Sequence, residues 1–425
     1  MMGAMTRRLA LALAAAVTAV AAAALVVALV GRDPRPPTLS SKALPAEALI
    51  DSIGVVVHFH YADTPYGRRD DVVARLRELG VRHIREGMPE PTGPLADGLR
   101  AARAAGIRAS VGTGEIDVDP QQAVANSLDV MGGSIDSFEG PNELDNSGDP
   151  DWPGTLRAYM PRLAAAVREQ APGVPLIGPS FIDPLNRDRI PRDLPGAFNG
   201  HPYSGGEPPE PALERALSER RATARGRAAY FTETGYHNAL AATTGQPPAS
   251  EQAAAIYIPR LLVTAFGAGV RRTYVYELLD EQPDPELLDP EWHFGLLRND
   301  LSPKPAFTAV RTLIAALGAT PGGRSRGPLA WSLDTDGEQV ERLQLVRADG
   351  SRVIALWRAV SVWDQHERHA TDPGRARVEL FFGGLGGRDV EVWRPSVSDR
   401  PVLRRERARR LALQLEGDLV LVSLH

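Results

Sequence analysis

The sequence predicts an α/β protein, a (β/α)8 barrel of the TIM type followed by a small C-terminal all-β sandwich and preceded by an N-terminal hydrophobic segment. Three observations predict it. From Asp51 onward, short β-type runs alternate with amphipathic helical runs, the pattern of βα units in a parallel sheet. Eight such units occupy about 270 residues, the size of this barrel. Beyond about Gly327 the helical pattern ceases, and short alternating runs separated by turns replace it.

The first strand reads Ile53–His60, apolar through Phe59. A helix over Arg69–Leu79 follows, with Val72, Val73, Leu76 and Leu79 on one face and Gly80 as its stop. The second strand is Val81–Arg85, and its helix covers Pro94–Ala105, ended by Gly106. Ile107–Val111 is the third strand. A helix near Pro120–Met131 leads to the fourth, Ser134–Glu139. Helix Pro153–Gln170 precedes the fifth strand, Val174–Gly178. The sixth, Ala197–Gly200, is short; helix Ala212–Arg221 connects it to the seventh, Ala228–Thr232. Helix Ser250–Phe266 leads to the eighth strand, Arg272–Tyr276, and a closing helix spans Pro305–Leu317. The sandwich strands are expected at Glu341–Val346, Arg352–Arg358, Arg377–Phe382, Asp389–Trp393, Arg410–Leu415 and Leu419–Leu424. A further strand of that domain is expected from the chain before Gly327, the lead into the barrel included.

The N-terminus carries a different signal. Arg7-Arg8 precedes an uncharged run of 22 residues, Leu9–Val30, made almost entirely of Ala, Val and Leu. About twenty apolar residues span a bilayer as a helix, and positive charge before the run favours an inside N-terminus. The run is long for a signal-peptide core, so a membrane signal anchor is favoured over a cleaved signal peptide. Val26-Val27-Ala28 is the small-residue cleavage site that the second reading requires. A buried core helix fits the terminal position poorly. The Pro-rich stretch after it reads as a linker. The domain order is therefore residues 1–31 signal peptide or anchor, 32–48 linker, 49–320 barrel and 321–425 sandwich. Either reading of the first segment exports the rest, to an extracellular or cell-surface location.

Composition narrows the function classes. The 425 residues are 43% hydrophobic, enough for a large core. A formal net charge of −5 gives no basis for a nucleic-acid partner. There is no cysteine, which excludes disulfides, thiolate metal sites and cysteine nucleophiles. Nothing in the sequence calls for a cofactor or sets an oligomeric state.

Two glutamates stand at strand ends. Glu143 ends Ser137-Phe138-Glu139-Gly140-Pro141-Asn142-Glu143 after strand four, and Glu233 follows Ala229-Tyr230-Phe231-Thr232 at strand seven. Barrel strands deliver catalytic residues at their carboxyl ends. With them stand Arg85 at the end of strand two and His201-Pro202-Tyr203 after strand six. This set resembles glycoside hydrolase clan A, the retaining TIM-barrel glycosidases, and most nearly family 39 and related cellulase-like glycosyl hydrolases. The resemblance covers Ile53–Leu317. It implies a carbohydrate substrate, with Glu143 as acid/base, Glu233 as nucleophile and Asn142 on the sugar 2-hydroxyl. Arg85, His201 and Tyr203 would complete the substrate-binding set, Tyr203 and Arg85 favouring the ionised nucleophile. The segments Trp292–Leu297 and Ser302–Phe307 resemble the join between barrel and last helix in such enzymes. Where the clan commonly has a tryptophan after strand eight, this chain has Tyr276-Glu277, so Tyr276 or Trp292 would serve beneath the sugar, and Glu277 would add a third carboxylate to the rim.

Each residue also has a plainer role. Arg85 can pair with Glu86 or Glu115, Tyr203 can be loop packing, and Tyr61, Tyr66, Trp152, Tyr236 and Trp292 can be core rather than sugar platforms. His58 and His60 on strand one, with His201 and Asp280, resemble the metal sites of amidohydrolases. That reading lacks a histidine after strand five and leaves both glutamates unused. No metal site is therefore expected, and His58 and His60 are assigned to the sugar subsite or the barrel floor. The remaining alternative is a non-catalytic carbohydrate-binding barrel.

Overall fold

In the computed structural model of the chain, the described residues are 43–113, 116, 118–182, 188–318, 331–383 and 387–425. The apolar N-terminal run, Glu115 and the boundary at Gly327 lie outside them. Among the described residues no helix is long and apolar enough to cross a membrane.

Eight parallel strands form the barrel: Ile53–Val56, His83–Gly87, Arg108–Gly112, Ile135–Glu139, Leu176–Ile177, Phe198–Gly200, Ala229–Thr234 and Val270–Val275. They lie in the order five, four, three, two, one, eight, seven, six. The ring nearly closes through one bridge, where Gly178 N donates to Ala197 O and Ala197 N to Leu176 O, both at 2.9 Å. Helices surround it at the expected places, among them Arg69–Leu79, Pro120–Met131, Trp152–Gln170 and Glu251–Gly267. Their ends follow local chemistry. Asp119 accepts from Gln121 N and Gln122 N, and Ser250 accepts from Ala253 N, as N-caps do.

Strand one stops at Val56, four residues before its expected end. Val57 N still bonds Arg85 O at 3.0 Å, but Phe59 N turns to the Glu86 carboxylate at 2.6 Å. A side chain has replaced the neighbouring strand, which apolar periodicity cannot register. The expected linker is also shorter than its assigned span. Leu44–Pro45 pairs in parallel with Leu345 and Val346 of the C-terminal sheet, and Ala46–Asp51 is a helix. The lead-in chain thus supplies a strand to the β region.

Among the described residues that region has two main sheets and a two-stranded hairpin, Trp363–Asp364 with His369–Ala370. One contains Leu44–Pro45, Val340–Val346, Arg352–Arg358, Val420–Leu424, Arg388–Trp393 and Leu403–Ala408; the other contains Trp331–Thr335, Ala376–Phe382 and Arg410–Leu415. Ile354, Leu356, Val378, Leu380, Leu411 and Val422 form its own core. Val353, Ala355, Trp357 and Leu421 instead join the barrel's core. Strand Arg352–Arg358 is therefore buried on both faces, which explains its unbroken apolar run Val353–Trp357. Leu403–Ala408 escaped the sequence reading because an exposed strand bearing Arg404, Arg405 and Glu406 has no apolar alternation.

Candidate active site

The carboxyl ends of the strands open into a cavity of about 960 Å³, near the upper end of small-molecule sites. Strand alternation determines what enters it. In strand four, Ser137 and Glu139 share one side: Ser137 Oγ donates to Ser110 Oγ at 2.7 Å, and Glu139 is wholly buried beneath the cavity.

Arg85, from strand two, organises the floor. Its Nε and Nη2 donate to the two Glu139 oxygens at 2.9 and 2.8 Å, a bidentate pair. Nη1 donates to Glu233 Oε1 at 2.5 Å, and Nη2 also to Asn142 Oδ1 at 2.8 Å. Burial lowers the guanidinium's pKa, but Glu139 and Glu233 outweigh it and raise it further. Asn199 and Thr232 complete Glu139, each donating to Oε1 at 3.0 Å.

Glu233 lies within strand seven and is 8% exposed. Its Oε2 accepts from the Tyr203 hydroxyl at 2.8 Å. Burial raises its pKa, but the charges of His201 and Arg85 and hydrogen bonds from Tyr203 and Arg85 hold it below the usual carboxylate value. Burial and the same carboxylate push the Tyr203 hydroxyl well up, so it remains a donor.

Glu143 sits across the cavity in the left-handed backbone region, with φ 43° and ψ 43°, uncommon for a residue with a side chain. Ser180 Oγ accepts from Glu143 N at 3.1 Å and donates to Asn142 Oδ1 at 3.0 Å, tying the turn to the chain after strand five. His201 Nδ1 meets Glu143 Oε1 at 2.6 Å and Glu233 Oε2 at 3.6 Å, with Nε2 on Thr232 Oγ1 at 2.9 Å. Burial lowers the imidazole's pKa, but Glu233 and Glu143 reverse that and raise it. The nearest ligand atoms of Glu143, His201 and Glu233 all lie within 4.8 Å of one another. The arrangement can therefore place an ionised carboxylate and a proton-bearing pair on one bond.

Another wall comes from strand two and the chain after strands one and eight. His58, His60, Tyr61, Glu86, Tyr276 and Glu291 line it. Burial, assisted by His60, pushes His58 down to about 3, so the ring is neutral. His58 Nε2 lies 3.5 Å from the wholly buried Glu277. Glu277 accepts from the Tyr66 hydroxyl at 2.6 Å; burial and neighbouring Glu281 and Asp280 hold its pKa well above the usual value despite that bond. Burial and Glu291 likewise push Glu281 up to about 7.

The expected site residues Glu143, Glu233, Asn142, Arg85, His201, Tyr203, His58, His60 and Tyr276 thus share one cavity. Trp292 does not line it; it is half-buried beside Glu291 and Phe294, which do. Glu277 is beneath the wall rather than on the rim. Arg85 pairs with Glu139 and Glu233 rather than Glu86. Of the aromatic candidates, Tyr66, Trp152 and Tyr236 are core, and Tyr61 reaches the cavity. The histidine–aspartate set is dispersed: His201 serves Glu143, whereas Asp280 accepts from Lys304 Nζ at 2.7 Å. His58 with His60 and Glu86, or with Glu277 and Glu281, has donor atoms spaced to hold a metal ion, as do Glu143, His201 and Glu233. Among the site residues missed in the sequence is Glu139, whose signal was a carboxylate in register with inward Ser137.

No protein-family model and no curated protein sequence matches the chain. Solved structures do resemble it. A family 39 glycoside hydrolase from the gut symbiont Bacteroides cellulosilyticus WH2 has a TM-score of 0.61 at 15% identity, covering 91% of this chain and 83% of that one. The GH39 enzyme from Xanthomonas axonopodis pv. citri has a TM-score of 0.58 at 17% identity, covering 91% and 95%. A monomeric β-xylosidase from Caulobacter crescentus CB15 has a TM-score of 0.54 at 14% identity, covering 92% and 98%. Likeness at such identities speaks for architecture, since one barrel hosts many chemistries. The chain has the barrel-plus-β-region fold of these family 39 structures.

Proposed function

We propose that this protein is a retaining glycoside hydrolase that cleaves O-glycosidic bonds in a polysaccharide or oligosaccharide. The observation that carries the reading is the facing pair Glu143 and Glu233: an oxygen of each lies within 4.8 Å of the other, closer than the about 6.5–9.5 Å between the carboxyl groups of inverting enzymes. Glu233, ionised by Arg85 and Tyr203, attacks the anomeric carbon. The bond to the leaving oxygen breaks as Glu143 gives that oxygen a proton, and a glycosyl ester forms on Glu233. The short contact with His201 Nδ1, at 2.6 Å, fixes the position of the Glu143 carboxyl. Glu143 then takes a proton from water, the resulting hydroxide attacks the anomeric carbon, and the ester bond breaks to restore Glu233. Asn142 uses Oδ1 for Arg85 and Ser180, which leaves its amide N–H groups for the sugar 2-hydroxyl.

The titles of the resembling structures, glycoside hydrolases and a β-xylosidase, support the same substrate class. Proton NMR of the first product anomer tests the stereochemistry; an inverted anomer overturns the double displacement. Hydrolysis lost in Glu143→Gln and Glu233→Gln, and rescued by azide in Glu233→Ala, supports the roles. Activity that persists in either glutamine variant overturns them, and loss on chelation would favour a metal-dependent hydrolase instead. The Arg7-Arg8 and Leu9–Val30 signal supports export, with the barrel secreted or tethered outside the membrane. Cell fractionation with protease shaving tests that placement.

A further inference from the structure

One edge of the β region is strongly basic. Leu403–Ala408 ends the six-stranded sheet and pairs on one side only, with Arg388–Trp393. The stretch Val397–Arg410 carries six arginines, Arg400, Arg404, Arg405, Arg407, Arg409 and Arg410, against Asp399 and Glu406, in a chain of net charge −5. All six are exposed. Arg404 pairs with Glu391 at 3.0 Å, and Arg410 stands 3.6 Å from Glu379. Arg400, Arg405 and Arg407 have no ion-pair partner among the described residues. The strand bulges opposite Asp389, whose Oδ1 accepts from Arg407 N at 2.9 Å.

Charge and a bulge on an edge strand block pairing with another strand, and either sign of charge serves that end. Two further observations ask for more. Val397, 65% exposed, and Val402, 45% exposed, precede the strand and are two of the five large hydrophobic side chains exposed among the described residues. Aliphatic tips among arginines suit a bilayer surface, the tips meeting the acyl boundary and the guanidinium groups the lipid phosphates. The second observation is the tether. Twelve residues, 31–42, join the apolar run Leu9–Val30 to the described chain, and they reach at most about 43 Å at roughly 3.6 Å each. They lead into Leu44–Pro45, the opposite edge of the same sheet, roughly 24 Å from Leu403–Ala408 at about 4.8 Å per strand. The tether is thus longer than the sheet is wide, and a chain anchored by Leu9–Val30 can lay its arginine edge on the same bilayer.

We propose that the Val397–Arg410 edge docks on an anionic phospholipid bilayer and so orients the chain against the membrane. Anionic headgroups attract a polybasic segment over about a Debye length, and the valines hold it at contact. The proposal is independent of the glycosidase reading and rests on the export reading of Leu9–Val30.

The test places the full chain in nanodiscs of phosphatidylcholine alone and of phosphatidylcholine mixed with phosphatidylglycerol. Co-purification with the neutral disc tests the anchor by itself, and its failure overturns the anchor but not the edge. The same protein is then added to vesicles of the two compositions, where binding to the anionic vesicles alone supports the edge and binding to neither overturns it. In the discs, hydrogen exchange at residues 397–410 is expected to slow about tenfold with the anionic lipid, and strand Arg352–Arg358 to stay unchanged. The slowing should vanish in high salt and in the triple variant Arg400→Gln, Arg405→Gln, Arg407→Gln, and shrink in Val397→Ser with Val402→Ser. Both variants alter exposed side chains and should keep the wild-type Tm. Equal exchange in the two discs, or slowing that neither variant reduces, overturns the proposal. Protection by dextran sulfate in neutral discs, with none from phosphatidylglycerol, also overturns it and assigns the edge to an anionic polymer.

Discussion

Strands seven and eight each bring a buried glutamate to the same end of the barrel, and the two carboxyls are held in opposite states. Glu233 is 8% exposed and Glu277 wholly buried, so desolvation favours the neutral acid at both. At Glu233 that effect is overcome by Arg85, His201 and Tyr203. Glu277 has Tyr66 as its donor and, among the described residues, no cation of comparable closeness, while Glu281 and Asp280 add like charge. One carboxyl is therefore held ionised and the other is a neutral strut. Burial alone does not assign a carboxylate its role; the partners that share the burial do.

The comparison breaks most directly by substitution. Glu233→Gln is expected to lower kcat/KM by about 10⁴-fold, the scale of removing a reacting group. Glu277→Gln replaces an acid that is already neutral and is expected to stay within about tenfold of wild type on the same glycoside. A collapse of equal size in both variants would show that Glu277 works as an anion.

Arg85→Met sharpens the comparison by removing the cation that separates the two sites. It leaves Glu139 and Glu233 buried without their partner, expected to cost about 3–5 kcal/mol in urea unfolding. Adding Glu139→Gln should recover part of that loss. In the surviving enzyme the acid limb of the pH–activity profile moves upward. In the proposed mechanism Glu233 acts when ionised, so its lowered pKa would keep activity at acid pH, and without Arg85 that pKa rises.

The pH dependence of stability separates the carboxyls by sign. Glu233, with a lowered pKa, contributes stability that is present above the unfolded carboxylate value and lost as pH falls through its folded pKa. Glu277, with a raised pKa, contributes stability that is full below the unfolded value of 4.5 and lost progressively as pH rises above it. The Tm of Glu277→Gln should thus gain on wild type between about pH 5 and pH 8; a pH-independent difference would contradict the neutral assignment. The smallest effect contrasts two aromatics. Tyr61→Ala, in the cavity, should raise KM a few-fold, whereas Trp292→Ala, outside it, should leave KM unchanged.

Much of this site was legible because barrel topology maps sequence position onto one face. Strand ends lie on one face of the barrel whatever the details of packing, so order pointed to Glu143 and Glu233, and the resemblance to clan A added Arg85, Asn142, His201 and Tyr203. Edges were less legible. Strand one lost its last residues to the Glu86 side chain, and Leu403–Ala408 has no apolar pattern to read. Trp292 and Tyr236 show the same limit for aromatics, whose type is common to core and cleft.

The linear sequence by itself determined the eight-unit alternation, the later change to β periodicity and which carboxylates stand at strand ends, because these depend on local periodicity and chain order. Tertiary structure alone decided that Arg85 joins Glu139 to Glu233, that Glu277 lies beneath the wall and that Gln365 of the β region enters the cavity. Those contacts join residues 54, 148, 211 and 159 positions apart. The electrostatics that separate Glu233 from Glu277 depend on distance in space and on shared burial, and neither is encoded in the spacing along the chain.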